Sequence, residues 1–176
     1  MAIAIVWFRN DLRLDDNPAL RAALDGGYSI VPAYVHDPDG EGAWAPGAAS
    51  NAWRSRSLAA LDADLASRGN RLRYFVGHAG ATLGAAAAAL GAEAVFWNRR
   101  YEPAIEARDA AIKLDLRGQG LQAESRNGSM LFEPWELKTL KGGPFRVNNL
   151  SPEMADPETR ARAAWALGRV DAFGAV

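Results

Sequence analysis

Two polar segments of this chain, each directly after a short apolar run, carry side chains that could bind or react with a ligand. The polar segment Arg9–Asp16 comes directly after the apolar run Ala2–Phe8, and the polar segment Asn98–Glu102 comes directly after Ala94–Trp97. If the apolar runs are strands of a parallel sheet, both segments lie in the crevice at the carboxyl ends of the strands, where such sheets bind ligands. Both segments are therefore candidate ligand-facing loops.

Each segment also has a structural interpretation. Arg9 and Asp11 could form a salt-bridged, Asx-capped turn that fixes the first strand to its neighbours. Asn98 could hydrogen-bond backbone groups of the crossover, and Glu102 near a helix start would complement the helix dipole. The residues alone leave a ligand-binding role and a structural role open for Arg9, Asn98 and Glu102.

An aromatic side chain stands in a third candidate segment, the glycine-rich loop after the second apolar run. Trp44 could form the wall of a flat pocket, because aromatic rings stack on planar ligands, or it could fold back on the helix that follows. His36 ends the second run and His78 lies in a loop. Both histidines fit a surface or hydrogen-bonded position better than the role of a general base.

No familiar catalytic motif accompanies these residues. The sequence has neither a GxGxxG dinucleotide fingerprint nor a GxxxxGK[ST] phosphate loop, and it has no GxSxG nucleophile elbow. It contains no cysteine and two histidines, which excludes thiolate chemistry and argues against a histidine-rich metal site. The residues indicate an α/β domain with a ligand crevice and no evident catalytic machinery.

Strands and helices are predicted to alternate along the chain. The predicted strands are Ala2–Phe8, Ser29–His36, Arg71–Val76, Ala94–Trp97 and Leu121–Ser125. The predicted helices are Pro18–Leu24, Asn51–Arg68, Ala81–Leu90 and Pro103–Gly118. This rhythm predicts right-handed βαβ units and a single three-layer α/β domain, built on a doubly wound, five-stranded parallel sheet of the Rossmann-like kind.

Local signals predict helix ends and core positions. Asn17 is expected to cap the first helix ahead of Pro18, and Ser50 is expected to cap the second. Pro32 cannot donate to a sheet ladder, so an edge, a bulge or a side without a partner is expected there. The buried stripe of the second helix is predicted to be Trp53, Leu58, Leu61 and Leu65.

Composition restricts the partners. Hydrophobic residues make up 49% of the 176 residues, charged residues make up 23%, and the net charge is −1. Because a nucleic-acid-binding surface is usually basic, we expect no direct DNA binding. No apolar run approaches the ~20 residues of a membrane span. The lack of cysteine fits a reducing compartment, so we expect a cytoplasmic location; the oligomeric state stays open.

Collinear sequence blocks resemble the DNA photolyase and cryptochrome family. Val6–Leu20 reads VWFRNDLRLDDNPAL, which is similar to the family opening WFR-x-DLR-x-x-DN-x-AL. The further blocks are Trp44–Ser50, Ser57–Leu61, Trp97–Pro103 with Arg108 and Asp109, Asn127–Pro134, and Gly142–Val147. The match runs over about residues 3 to 147 and concerns the N-terminal α/β domain of that family.

The resemblance implies a light-harvesting role. Family members join the α/β domain to a helical domain that binds FAD and takes up the pyrimidine dimer. In many members the α/β domain holds a second, planar chromophore, namely a folate, a deazaflavin or a flavin, which passes excitation to FAD. The chain is therefore expected to need a separate FAD-binding helical domain as its partner and not to repair DNA alone.

Two departures from the family pattern refine this expectation. Residues 148–176 do not continue the pattern, and we expect a divergent helical or irregular tail there, with the FAD-binding domain absent. A truncated or frame-shifted photolyase and a distinct short family member both fit. Ala104 and Ile105 stand where folate-binding members carry polar side chains, so the resemblance disfavours folate and leaves a deazaflavin or flavin.

In members that bind those pigments, the crevice is bordered by the second-strand loop and the helix after it. The candidate chromophore-binding residues are Arg9, His36, Asp37, Trp44, Ser50, Arg54, Asn98 and Glu102. The leading hypothesis is an antenna domain. The alternatives are a fragment or subunit of a deoxyribodipyrimidine photolyase, and a nucleotide-binding sensor for ATP or AMP, against which stands the missing phosphate loop.

Overall fold

The computed structural model describes residues 1–42 and 45–136. The strands are β1 (Ile3–Phe8), β2 (Ser29–His36), β3 (Arg73–Val76), β4 (Ala92–Asn98) and β5 (Gln122–Arg126). The helices are α1 (Pro18–Asp25), α2 (Ala48–Ser67), α3 (Ala79–Leu90) and α4 (Pro103–Gly118). All strand pairs are parallel, in the order β3-β2-β1-β4-β5, which confirms the predicted fold class.

All these elements lie in one compact unit, Met1–Ser129, and a second unit begins at Met130. The described part of the second unit contains a turn in which the Glu136 amide donates to the Glu133 carbonyl at 2.9 Å. The predicted boundary at residue 147 and the predicted tail at 148–176 fall outside the described residues.

The sheet is covered on both faces. Successive residues of a strand point to opposite faces, so Ala4, Val6 and Phe8 pack with residues of α1 and α2. Ile5 and Trp7 pack on the other side with residues of α3 and α4. The alternation places helix pairs on opposite faces of β1, which makes the sheet doubly wound.

Helix α2 begins earlier than predicted. Its N-cap is Gly47, which makes no side-chain capping bond, and the helix starts at Ala48. The prediction that Ser50 caps this helix is therefore wrong, because Ala48 and Ala49 are strong helix formers that extend the first turn ahead of the serine. At α1 the predicted cap is confirmed, since Asn17 Oδ1 accepts from the Leu20 amide at 3.1 Å.

The buried stripe of α2 also differs from the prediction. Leu58, Leu61 and Leu65 are buried, whereas Trp53 is 72% exposed. At 100° per residue, Arg54, which is seven residues before Leu61, lies on the same side of the helix as the leucines. Trp53 lies about a quarter-turn from Arg54 around the helix axis. The prediction that Trp53 belongs to the buried stripe of α2 is therefore wrong.

Pro32 fits the sheet because of where its neighbour begins. β2 is an interior strand, and Pro32 is in register with Val6 of β1. The pairing of β2 with β3 starts one residue later, at Ala33 and Arg73. The proline therefore precedes the part of β2 that pairs with β3. This is the third predicted possibility, a side without a partner.

The β5 edge of the sheet carries arginine contacts on its backbone. Arg117 Nη2 donates to the Ala123 carbonyl at 3.0 Å, and Arg99 Nη2 donates to the Ser125 carbonyl at 2.9 Å. The Arg126 carbonyl instead accepts from the Arg99 amide, on the β4 side. Since backbone groups of successive strand residues point to opposite sides, the two arginine side chains occupy outward-facing carbonyls.

Candidate functional site

The strand order reverses between β1 and β4, so the loops after these two strands meet at the topological switch point of the sheet. Ligands of open α/β sheets bind at such a point. The polar residues found there are Arg9, Asp11, Asn17, Asn98 and Asp109, and we call this group the polar corner.

Arg9 is held within the polar corner. Its guanidinium forms an ion pair with Asp109 of α4 and donates to the Asn98 carbonyl. The side chain is 6% exposed and stacks 4.7 Å from the ring centroid of Trp7. Burial lowers the pKa of Arg9 from its usual value, and the Asp109 carboxylate opposes this shift. The ion pair fixes the end of β1 to α4.

Asn98 uses its whole carboxamide in the same corner. Its Nδ2 donates to Asp11 Oδ2 at 2.6 Å and to Asn17 Oδ1 at 2.8 Å, and its Oδ1 accepts from the Ala19 amide at 3.0 Å. A Cβ on Gly128 would stand 2.6 Å from Asn98 Cγ, so this close approach requires glycine. These contacts support the structural interpretation of Asn98.

Ion pairs connect two loops across the end of β1. Arg100, which follows β4, contacts Glu41 of the β2–α2 loop at 2.9 Å and Glu102 at 2.7 Å. Arg54 of α2 approaches Glu41 at 4.0 Å. The hydrogen bond from Arg100 lowers the pKa of the Glu102 carboxyl. Although burial opposes the charged form of Arg100, its bonds to Glu102 and Glu41 raise its pKa.

The start of the β2–α2 loop is fixed to α3 and α4. Asp37 Oδ2 accepts from the Ala79 amide at 3.0 Å, which explains why α3 begins two residues before its predicted start. Arg108 Nη1 donates to the Gly40 carbonyl at 3.1 Å. A Cβ on Gly40 would overlap Asp37 Oδ2, so glycine is required at this turn.

A cleft of about 880 Å³ lies between the loop after β1 and the N-terminal half of α2. We call it the α2 cleft. Its lining residues are Arg9, Asn10, Asp11, Leu12, Arg13, Glu41, Pro46, Ala49, Ser50, Trp53, Arg54 and Ser57. The lining combines apolar, hydroxyl, carboxylate and guanidinium groups with one exposed indole, which suits a planar ligand that carries polar substituents.

The structure brings some of the predicted site residues together and separates others. Arg9, Ser50 and Arg54 line the α2 cleft. Asp37 lines a smaller neighbouring cavity. His36, Asn98 and Glu102 are not among the lining residues of either cavity, and Trp44 lies outside the described residues.

Trp53 lines the α2 cleft but is not among the predicted site residues. The helical phase of α2 could have revealed it, because a tryptophan a quarter-turn from the leucine stripe belongs to the rim of the buried face. Glu41 was missed as well, and its ion pairs with Arg100 depend on tertiary contacts that no local pattern contains. Within residues 1–42 and 45–136, no group of three histidine, aspartate or glutamate side chains could hold a metal ion.

These features define a doubly wound α/β domain. It has a polar corner at its switch point and a ligand-sized cleft beside that corner. The family model described as DNA photolyase matches residues 4–150 of this chain. The chain therefore belongs to the DNA photolyase and cryptochrome family and corresponds to the N-terminal region of its members. No helix in the described part of the chain is long and apolar enough to cross a membrane.

Relatives with curated names support this membership. The chain is 44% identical over 146 residues to a deoxyribodipyrimidine photo-lyase of Agrobacterium fabrum, covering 83% of this chain and 30% of the relative. It is 41% identical over 148 residues to cryptochrome-2 of Arabidopsis thaliana, covering 82% of this chain and 24% of the relative. The chain thus spans a third or less of the length of these proteins.

Solved structures show the same relationship. A bacterial class III photolyase from Agrobacterium tumefaciens matches with a TM-score of 0.76 and 44% identity, over 83% of this chain and 30% of that one. An archaeal photolyase from Sulfolobus tokodaii matches with a TM-score of 0.67 and 26% identity, over 74% and 30%. The archaeal structure is described as containing two FAD molecules, with the implication of a novel light-harvesting cofactor.

Proposed function

We propose that this domain is an antenna, which binds a planar pigment in the α2 cleft and passes absorbed light energy to FAD held by a helical domain. The observation that carries the proposal is the exposed indole of Trp53 on the wall of a cleft of about 880 Å³. That volume lies within the range of about 300–1,000 Å³ found for small-molecule sites. The archaeal relative described with a light-harvesting cofactor adds support from within the family.

Different residues of the α2 cleft would make different kinds of contact with the pigment. The Trp53 ring offers a face on which a tricyclic pigment can stack. Arg54 and Ser50, one turn of α2 apart, offer a guanidinium and a hydroxyl group for the pigment's carbonyl oxygens or its side chain. Arg54 also donates to the Tyr34 hydroxyl at 3.4 Å, so its head group is oriented before any ligand arrives.

We propose a deazaflavin or a flavin as the pigment, rather than a folate. Ala104 and Ile105 lie in the first turn of α4, where folate-binding members carry polar side chains. Ile105 is buried and Ala104 carries only a methyl group. Neither side chain can hydrogen-bond a pterin ring or a glutamate tail.

We further propose that repair chemistry requires a helical FAD-binding partner, whether that partner is supplied by the same polypeptide or by another. The polar groups of the polar corner contact one another. The net charge of −1 offers no general attraction for DNA. Light-dependent repair by these 176 residues alone is therefore not expected.

An absorption experiment tests the antenna proposal. The purified chain is mixed separately with a deazaflavin, FMN, FAD and a folate, passed over a desalting column, and examined in the near-ultraviolet and blue. We expect a retained band with the deazaflavin or a flavin and none with the folate. A protein that stays colourless with every pigment would contradict the antenna role.

A matched pair of variants locates the binding site. Trp53→Ala removes the stacking face and is expected to raise the pigment Kd by about tenfold. Leu114→Ala removes a similarly exposed side chain, 70% against 72%, from α4 outside the cleft, and the Kd should not change. Stabilisation by ATP or AMP instead, worth about 2.7 kcal/mol at 100 times the Kd, would favour the nucleotide-sensor alternative.

A further inference from the structure

The segment directly after β5 contains the pair Asn127–Gly128, and the sequence contains no other asparagine that is followed by glycine. Asparagine is chemically labile, because the backbone nitrogen of the next residue can attack its side-chain carbonyl carbon. Glycine resists this attack least, since it lacks a Cβ and adopts the widest range of backbone angles. Asn127 is therefore the asparagine of this sequence that is most open to such an attack.

The polar corner fixes glycine at position 128. A Cβ on Gly128 would stand 2.6 Å from Asn98 Cγ and 2.9 Å from Asn98 Nδ2. The Asn98 carboxamide is itself held in place, because its Nδ2 donates to Asp11 Oδ2 at 2.6 Å and its Oδ1 accepts from the Ala19 amide at 3.0 Å. The contact that packs the polar corner thus also keeps the residue after Asn127 free of a side chain.

Local hydrogen bonding brings the two reacting groups of the pair together. Asn127 Oδ1 accepts from the Ser129 amide at 3.2 Å, which closes an Asx turn around the Gly128 nitrogen. In such a turn the side-chain Cγ lies next to the enclosed nitrogen, and the Ser129 N–H can stabilise negative charge that develops on Oδ1 during attack. Within the described part of the chain, the Gly128 amide donates to no acceptor, so its nitrogen is available to react.

We propose that Asn127 is a site of spontaneous deamidation, at which the folded chain slowly converts asparagine to aspartate and isoaspartate. The Gly128 nitrogen loses its proton to the solvent and bonds to Asn127 Cγ, the Cγ–Nδ2 bond breaks, and Nδ2 leaves as ammonia with a proton from water. Water then opens the resulting succinimide. Cleavage of the new N–Cγ bond gives aspartate, and cleavage at the main-chain carbonyl gives isoaspartate. The reaction needs neither a pigment nor a partner.

The isoaspartate product would loosen the contacts of the segment after β5. It routes the backbone through the side-chain carbon, which adds one carbon atom between the Cα of residue 127 and the nitrogen of Gly128. Gly128 then shifts against Asn98, and its carbonyl shifts away from Arg13 Nη2, from which it accepts at 2.6 Å. Arg13 lines the α2 cleft. Deamidation therefore weakens the connection between this segment and the loop after β1.

Peptide mass spectrometry of the unaltered chain tests the reaction. The chain is kept for several weeks in mildly alkaline buffer, with and without urea, and then digested. We expect Asn127 to convert at least about tenfold faster than Asn51 and Asn70, whose following residues carry side chains. An intact Asn127, or one that converts no faster than Asn70, would overturn the proposal. Urea should speed the conversion by less than about tenfold; a larger acceleration would show that the fold protects Asn127 and would overturn it equally.

A matched pair of variants tests the effect on stability. Asn127→Gln would have to form a larger ring and should keep its urea midpoint during storage. Asn127→Asp has the charge of the product on a normal backbone and an oxygen that can accept from Ser129, so its midpoint should lie near that of fresh wild type. Stored wild type should have a lower midpoint than either variant. Equal midpoints for stored wild type and Asn127→Asp would contradict the loosening by isoaspartate, and the mass-spectrometric test stands if a variant fails to fold.

Discussion

Two polar regions lie side by side at the carboxyl end of the sheet, and they differ in what their polar groups contact. In the polar corner, the side chains of Arg9 and Asn98 are buried and hydrogen-bond within the protein. In the α2 cleft, Trp53 is exposed and Ser50 lines the cleft wall. Polar residues at a switch point can therefore serve to build the crevice, while exposed side chains that line the cleft come from the neighbouring helix.

Among variants of the two polar regions, Arg9→Ala is expected to have the largest effect on stability. The substitution removes one of the two arginine partners of the buried Asp109 carboxylate, and because Arg108 remains paired with it we expect a loss at the lower end of the about 3–5 kcal/mol typical of a broken buried pair. The free energy of unfolding, measured by urea denaturation, should fall by about that amount. Arg21→Ala, which removes an exposed pair with Asp25, is the control and should cost less than about 1 kcal/mol. A stable Arg9→Ala that loses pigment binding would make Arg9 a ligand contact instead.

Gly128→Ala is expected to have the next largest effect. The new methyl group would lie 2.6 Å from Asn98 Cγ and would force the carboxamide away from α1. Overpacking of this kind costs about 1–3 kcal/mol. Gly118→Ala provides the control, because a Cβ there meets nothing within 4 Å at the end of α4. Equal urea midpoints for the two variants would show that the polar corner is more adaptable than its contacts indicate.

The smallest effect is expected from pH. The hydrogen bond from Arg100 lowers the pKa of Glu102 in the folded chain. The stability from this bond is therefore complete above the unfolded pKa of about 4.5 and is lost as the pH falls through the lower, folded pKa. Urea midpoints measured between neutral and acid pH should fall less steeply for Glu102→Gln than for wild type. Parallel curves of urea midpoint against pH would show that Glu102 does not stabilise the ion pairs of Arg100 that connect the two loops.

Much of the fold could be predicted because its signals are local. The bounds of β2 and α4 match the prediction residue for residue, since glycine and proline delimit them in the sequence. β3 begins two residues later than predicted because its length follows its register with β2. Arg71, expected in the strand, forms an ion pair with Asp62 at 2.7 Å instead.

The candidate site was less predictable because its contacts are distant in sequence. Arg9 and Asp109 are 100 positions apart, and no periodicity relates them. Both residues lie in the sequence blocks that resemble the family, but the resemblance does not show which residue each of them contacts. Trp53 differs, because its exposure depends on helical phase alone, and a closer count from Leu58 and Leu61 would have placed it on the rim. Local patterns thus locate elements and faces, whereas ion pairs across loops need the assembled sheet.

The arginines on β5 have a consequence for how this domain can associate. An edge strand with unoccupied carbonyls invites another chain to extend the sheet, which is a route to aggregation. Guanidinium groups already occupy the Ala123 and Ser125 carbonyls. A strand from another molecule would have to displace both guanidinium groups before it could pair with β5. The domain is thereby shielded along β5 from growing into a continuous intermolecular sheet.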